Sequence, residues 1–224
     1  MADNIGGLGT LVSAYATGRP NIRLLDLGCW DGRTTLSYLP AGACGFGVEV
    51  STEAASRASG LGLCTVSADL NRGLPFRSDE FDVVTSNQVI EHLSDTDQVM
   101  AEAHRVLRPG GLVVISTENL ASWHNIGALL FGWQAFSLTN VSRYRPGVGN
   151  PLANLRHDEP PDIGWQHTRI FSYRGLRELA EAVGFVDIGI LASGYYPFPS
   201  RMARIDPRHG AFITVTGRKV NGQR

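Results

Sequence analysis

The sequence predicts an α/β protein built on a doubly wound, mostly parallel sheet of seven strands, with helices on both faces. Three observations carry this expectation. Short apolar runs without strict alternation recur along the chain, as in strands buried on both faces. Helical patterns separate them. The first run ends in a glycine-rich turn that opens a helix.

The strands are read in order as residues 22–28 (IRLLDLG), 44–50 (CGFGVEV), 63–67 (LCTVS), 81–86 (FDVVTS) and 112–117 (LVVIST). Between the fourth and fifth, Ser94 is the expected cap of a helix reaching about Leu107. Val99, Met100, Ala103, Val106 and Leu107 share its inner face, and Arg108-Pro109-Gly110-Gly111 stops it. Ser172 caps a further helix with Leu176, Leu179, Ala180 and Val183 facing inward, Gly184 at its end, and Phe171 stapled to Leu176. Two more strands follow, residues 185–191 and 211–216, with no helix between them, so the last strand is expected to be antiparallel.

The chain of 224 residues is read as one domain, with its core in 20–117 and 168–217 and an inserted lid at 118–167. Its composition, 43% hydrophobic and 18% charged, is that of a globular protein. A net charge of −1 offers neither nucleic acid nor an anionic lipid surface a basic field, so neither partner is expected. Cys29, Cys44 and Cys64 are widely spaced, with no zinc-type pairing, and read as small buried side chains in a reducing compartment. Without a basic-then-apolar start or a run of about 20 apolar residues, the expected location is cytoplasmic.

The strongest local signal is Leu24-Leu25-Asp26-Leu27-Gly28-Cys29-Trp30-Asp31-Gly32-Arg33-Thr34-Thr35. Such a turn is where a nucleotide cofactor binds, and glycine there lets the cofactor lie against bare backbone. Glu49 ends the second strand, 21 residues after Gly28, where a carboxylate can accept from both ribose hydroxyls. Dinucleotide binders need G-x-G-x-x-G. Counted from Gly28, the second and third glycine positions hold Trp30 and Arg33. An acidic Asp26 behind the turn also suits a cationic cofactor better than a pyrophosphate.

With LLDLGCWDGRTT, GVEVS, SADLNRGLPF, FDVVTSNQVIEHL, VLRPGGLVVIST and RIFSYRGLRELAEAVGF in register, the sequence resembles the class I S-adenosylmethionine-dependent methyltransferases. The likeness is to their small bacterial type 11 group and spans about two-thirds of the chain. The resemblance implies a Rossmann-like sheet and S-adenosyl-L-methionine as cofactor. It implies that Gly28 and Gly32 line the methionine portion with Asp26 behind them, that Glu49 holds the ribose, and that Cys29, Trp30 and Val50 belong to the same cofactor-binding stretch, the Trp30 indole pointing away from the cofactor or forming part of its pocket wall. Asp69 and Leu70 would meet the adenine, and Asn87 and Gln88 would lie near the transferring methyl. Trp30 departs from the family, which usually has glycine there.

A sulfonium donor carries its own activation, so the protein chiefly aligns the reactants, and a base is needed only for an acceptor that must lose a proton. His92 and His124 are the candidate bases. The plainer reading of Glu91-His92 is that it packs the loop, and of His124 that it is structural. One Glu-His pair is too thin for a metal site, so none is expected.

Segments 118–167 and 192–210 leave the carboxyl edge of the sheet, where ligands bind in open parallel sheets, and are expected to form a substrate roof. Within the first, Asn119 is the expected cap of an apolar lid helix through Trp133, whose surface leaves a homodimer contact open as an alternative. Trp123, Arg143, Tyr144, Arg145, His167, Tyr195 and Arg201 are the candidate substrate contacts, arginine suiting anionic groups. Solvated surface charge is the plainer reading of those arginines, since Asp158, Glu159 and Asp162 are interspersed.

The expected reaction is O-methylation of a small or medium acceptor, such as a sugar, nucleotide sugar or glycan end. A natural product or quinone is the rival acceptor. Two other classes stand beside it: a nicotinamide-dependent reductase, which tight binding of reduced cofactor would favour, and a non-catalytic donor- or partner-binding module, which donor binding without transfer would favour.

Overall fold

The computed structural model describes residues 2–142, 144–145, 147–153 and 166–220. Seven strands form one sheet: β1 (Arg23–Leu27), β2 (Cys44–Glu49), β3 (Cys64–Ser67), β4 (Phe81–Asn87), β5 (Leu107–Glu118), β6 (Phe185–Ser193) and β7 (Phe212–Lys219). Their spatial order is β3-β2-β1-β4-β5-β7-β6, and β7 runs antiparallel to both its neighbours. The helices are α1 (Ala2–Ala16), α2 (Arg33–Tyr38), α3 (Thr52–Gly60), α4 (Thr96–Val106), α5 (Trp123–Leu130) and α6 (Tyr173–Val183).

The strands lack alternation because both faces are covered. Leu24, Val83, Leu112 and Val114 point to one face and pack on Leu8, Val12 and Tyr15 of α1. Leu25, Leu27, Val84, Val113, Ile115, Ile213 and Val215 point to the other, against α4 and α6. Helix α1 is a finding of the structure. Its apolar residues at positions 8, 12 and 15 follow helical spacing, but glycines at 6, 7 and 9 obscure the pattern in the sequence.

Several boundaries differ from expectation for identifiable reasons. Asp95 caps α4, accepting from Gln98 N at 2.9 Å, while the Ser94 hydroxyl donates to Asn71 Oδ1. The Arg108-Pro109-Gly110-Gly111 stretch does not merely end the helix; it bulges within β5, because Leu107 pairs with Phe81 and Leu112 with Val83. The lid helix is shorter than predicted and starts after Ser122. Asn119 is fully buried instead, its amide donating to Arg208 O at 2.8 Å and Gly210 O at 2.7 Å. Ser172 does cap α6, and Gly184 ends it in a left-handed conformation. Cys29 is buried as expected, but Cys44 and Cys64 are exposed: both begin their strands, and β3 is a sheet edge.

Strand order reverses between β1 and β4, so the crevice at their carboxyl ends is the switch point where α/β sheets bind ligands. No described helix is long and apolar enough to cross a membrane.

Candidate cofactor and acceptor site

The glycine turn closes over its own chain. Gly28 has φ +77°, and a Cβ there would meet Val89 Cγ2 at 2.5 Å; Gly32 has φ +81°, and its Cβ would meet Leu63 and Ala58 below 3.0 Å. These glycines are therefore demanded by backbone angle and internal packing, where the sequence pointed to cofactor approach alone. Trp30 holds a left-handed φ of +47° with its ring 44% exposed, which explains why glycine suits this position. Gln88, ending the switch-point crevice opposite, is also left-handed at φ +58°. Two non-glycine residues in this conformation at one sheet edge match the clustering of backbone strain at functional sites.

Glu49 lies at the tip of β2, only 6% exposed. Its Oε2 accepts from Trp30 N at 3.1 Å and its Oε1 from Ser51 N at 2.9 Å, which fixes the carboxylate while each oxygen retains a lone pair. Val50 beside it is exposed. Asp26 sits behind the turn with both oxygens taken, Oδ2 by the Thr35 hydroxyl and Oδ1 by that of Thr85 at 2.9 Å. Burial pushes the Asp26 carboxyl up, against the pull of these hydroxyls. The Cys29 thiol is pushed up to about 12, first by burial and then by the charges of Asp26 and Glu49. The acidic Asp26 and Glu49 beside the turn favour a cationic sulfonium and oppose a pyrophosphate. The turn thus fits S-adenosylmethionine.

Asp69 caps a short turn, Oδ1 accepting from Asn71 N at 2.9 Å, and remains partly exposed. Leu70 packs into the main core. Asn87 Oδ1 accepts from Asn4 Nδ2 at 2.8 Å, and Asn4 Oδ1 accepts from Ser116 Oγ at 2.8 Å. Asn4, 2% exposed, thus orients the end of β4 from the first turn of α1. Sequence reasoning missed it, since a lone Asn in a glycine-rich start carries no signal.

At the end of β5 lies a cavity of about 380 Å³ lined by Glu118, His124, Phe136, Ser137, Tyr196, Pro197, Ala211 and Phe212. His124 lines it, as do Glu118 and Tyr196 of the two segments expected to form the roof; Trp123, His167, Tyr195 and Arg201 are not among its described lining residues. Trp123 and Tyr195 instead join the lid helix to the β6–β7 connection: Trp123 Nε1 donates to Tyr195 Oη at 2.7 Å, and Tyr195 donates to Asp206 Oδ2 at 2.5 Å. Tyr144, Arg145 and Arg201 are exposed. Arg143, with Arg156, His157, Asp158, Glu159 and Asp162, lies outside the described residues.

His92 lies edge-on to His167, ring centroids 4.8 Å apart. Glu91, 1% exposed, is held by the Thr117 hydroxyl at 2.9 Å, and burial pushes its carboxyl up to about 8.

Fold and turn together resemble those of the class I methyltransferases. Residues 25–115, less than half of the chain, match the family described as "Methyltransferase domain". The malonyl-[acyl-carrier protein] O-methyltransferase of Erwinia billingiae is 32% identical over 141 residues, 62% of this chain and 55% of that protein. The ubiquinone biosynthesis O-methyltransferase of Methylococcus capsulatus is 33% identical over 103 residues, 43% of this chain and 44% of that protein. The chain therefore spans about half the length of these curated relatives. Among solved structures, a Thermotoga maritima protein described as an "SAM-dependent methyltransferase, possible histamine N-methyltransferase" superposes with a TM-score of 0.61. It is 19% identical, over 93% of this chain and 86% of that one, a likeness of fold.

Proposed function

We propose that this chain transfers a methyl group from S-adenosylmethionine to a hydroxyl of an uncharged, ring-sized acceptor. The observation that carries the reading is the cavity beside Glu118, whose described lining holds three aromatic rings, one histidine and the Glu118 carboxyl group. Phe136, Tyr196 and Phe212 suit the faces of a ring, and a volume of about 380 Å³ suits a small acceptor. An acidic Glu118 in the described lining favours a neutral sugar end or a hydroxylated aromatic ring over a nucleotide sugar. The ubiquinone-pathway relative supports the aromatic version.

The cofactor supplies an activated methyl on a sulfonium leaving group. Glu49 would hold its ribose, Asp69 its adenine, and Asn87 and Gln88, steadied by Asn4 and Ser116, its reactive end. Asp26 and the Cys29 backbone would support the turn from behind. His124 is assigned as the base that takes the acceptor's hydroxyl proton, with segment 118–167 as the lid over the acceptor.

Calorimetry with S-adenosylhomocysteine, followed by tritiated-methyl transfer to a panel of quinols, neutral glycans and nucleotide sugars, tests this reading. Binding plus transfer to a neutral hydroxylated ring is expected. Absence of binding overturns the donor assignment; transfer only to anionic or amine acceptors overturns the acceptor class.

A further inference from the structure

The loop after β4 and the segment leading into α6 are zipped together by their backbones. Thr168 N and Arg169 N donate to Glu91 O at 2.8 and 3.3 Å, and the Thr168 hydroxyl donates to Leu93 O at 2.9 Å. This zipper sets His167 against His92, although 75 residues separate them in the chain. One nitrogen from each imidazole and one oxygen of Glu91 all lie within 4.8 Å of one another.

The surroundings of the three groups resemble the supporting shell of a metal centre. His92 Nδ1 faces Gln166 O at 3.3 Å, and His167 Nδ1 faces Ser137 O at 2.7 Å. A carbonyl can only accept, so each of these contacts places a ring hydrogen on Nδ1 and makes Nε2 the acceptor nitrogen of the ring, the tautomer of ligating histidines. Glu91 Oε2 accepts from Thr117, whereas Oε1 is buried with no hydrogen-bond partner among the described residues. Leaving a buried carboxylate oxygen unsatisfied is costly, and a cation among the three groups would remove that cost.

We propose that Glu91, His92 and His167 bind a divalent transition-metal ion of the zinc type. Two neutral imidazoles and one carboxylate form a nitrogen-rich set that suits zinc or cobalt better than magnesium or calcium. Three protein ligands leave a position open. Bonds of about 2 Å require inter-ligand spacings of about 3.3 Å, so the side chains close inward by ~1 to 1.5 Å when the ion enters. Ser137 and Glu118, the neighbours of His167, also line the acceptor cavity. An acceptor oxygen is the natural occupant of the open position. That last step rests on the methyl-transfer reading; the metal site itself does not.

The test is titration of chelator-treated protein with zinc chloride by calorimetry, and with cobalt chloride by visible absorption. One equivalent should bind, and cobalt should show the spectrum of a low-coordinate, nitrogen-ligated ion. His167→Ala and Glu91→Gln should each weaken zinc binding by about 10- to 100-fold. Cys44→Ser/Cys64→Ser, which removes the exposed thiols, should leave it unchanged. Circular dichroism and S-adenosylhomocysteine affinity report whether each variant is folded, and the wild-type cobalt spectrum needs no variant. No stoichiometric uptake, a thiolate-type cobalt spectrum, or zinc affinity that survives His167→Ala in folded protein overturns the site. Metal uptake without methyl transfer would leave it standing while the acceptor reading falls; nucleoside binding without metal uptake would do the reverse.

Discussion

The main-chain N–H of Trp30 donates to Glu49 Oε2 at 3.1 Å, so the glycine turn and the acidic tip of β2 form one unit. Glu49 is oriented before any ligand arrives, and its preorganisation should appear as affinity. Glu49→Gln keeps the shape but removes the charge and one acceptor. Loss of charge-assisted bonds of about 1.5–3 kcal/mol corresponds to roughly 10- to 100-fold weaker binding of S-adenosylhomocysteine, read by calorimetry. Unchanged affinity would contradict the ribose assignment.

Gly28→Ala tests the packing of the switch point. The new methyl would meet Val89 at 2.5 Å from a backbone at φ +77°. Overpacking and left-handed strain together predict a loss of about 2–4 kcal/mol. Thermal unfolding should show a drop of many degrees, and a melting temperature within about 2 °C of wild type would refute the account.

Asn4→Ala should damage both stability and binding. The side chain joins Asn87, Ser116 and Thr214, and its removal leaves buried polar partners unsatisfied, a cost of about 1–3 kcal/mol. Releasing Asn87 should also weaken donor binding. Denaturant titration and calorimetry separate the two effects, and a neutral result in both would refute the anchoring role.

The pH dependence of stability should carry a mark of Glu102. Hydrogen bonds from Arg105, together with one from Leu74 N, hold its carboxyl below the ordinary carboxylate value. A depressed folded value means the contribution is fully present above the unfolded pKa and lost as pH falls through the folded one. Glu102→Gln should cost about 1 kcal/mol near neutrality, solvent screening of Arg105 included, and the gap should close in strong acid. A gap constant across pH would argue against this linkage.

Much of the sheet was legible because its cues are local. Apolar runs at residues 24–27, 83–84 and 112–115 become β1, β4 and β5, and Ser172 with Gly184 brackets α6 as predicted. The glycine turn was legible for the same reason, since Gly28, Trp30 and Glu49 lie within one strand-turn-helix-strand stretch. Less legible were roles that depend on a distant partner. Asn119 looked like a cap and is a buried strut for the β6–β7 connection; Trp123 and Tyr195 looked like substrate contacts and hold the lid to that connection.

By itself, then, the sequence determined which segments pair as buried strands, where most helices begin or stop, and where a glycine turn opens at the sheet's carboxyl edge. These follow from side-chain periodicity and from backbone angles that few residues adopt, both properties of neighbouring residues. The tertiary structure alone decided that Asn4 steadies Asn87, that an aromatic cavity forms beside Glu118, and that His167 arrives against Glu91 and His92. Such contacts join residues far apart in the chain, and only the packed core and its backbone zippers fix which of them meet.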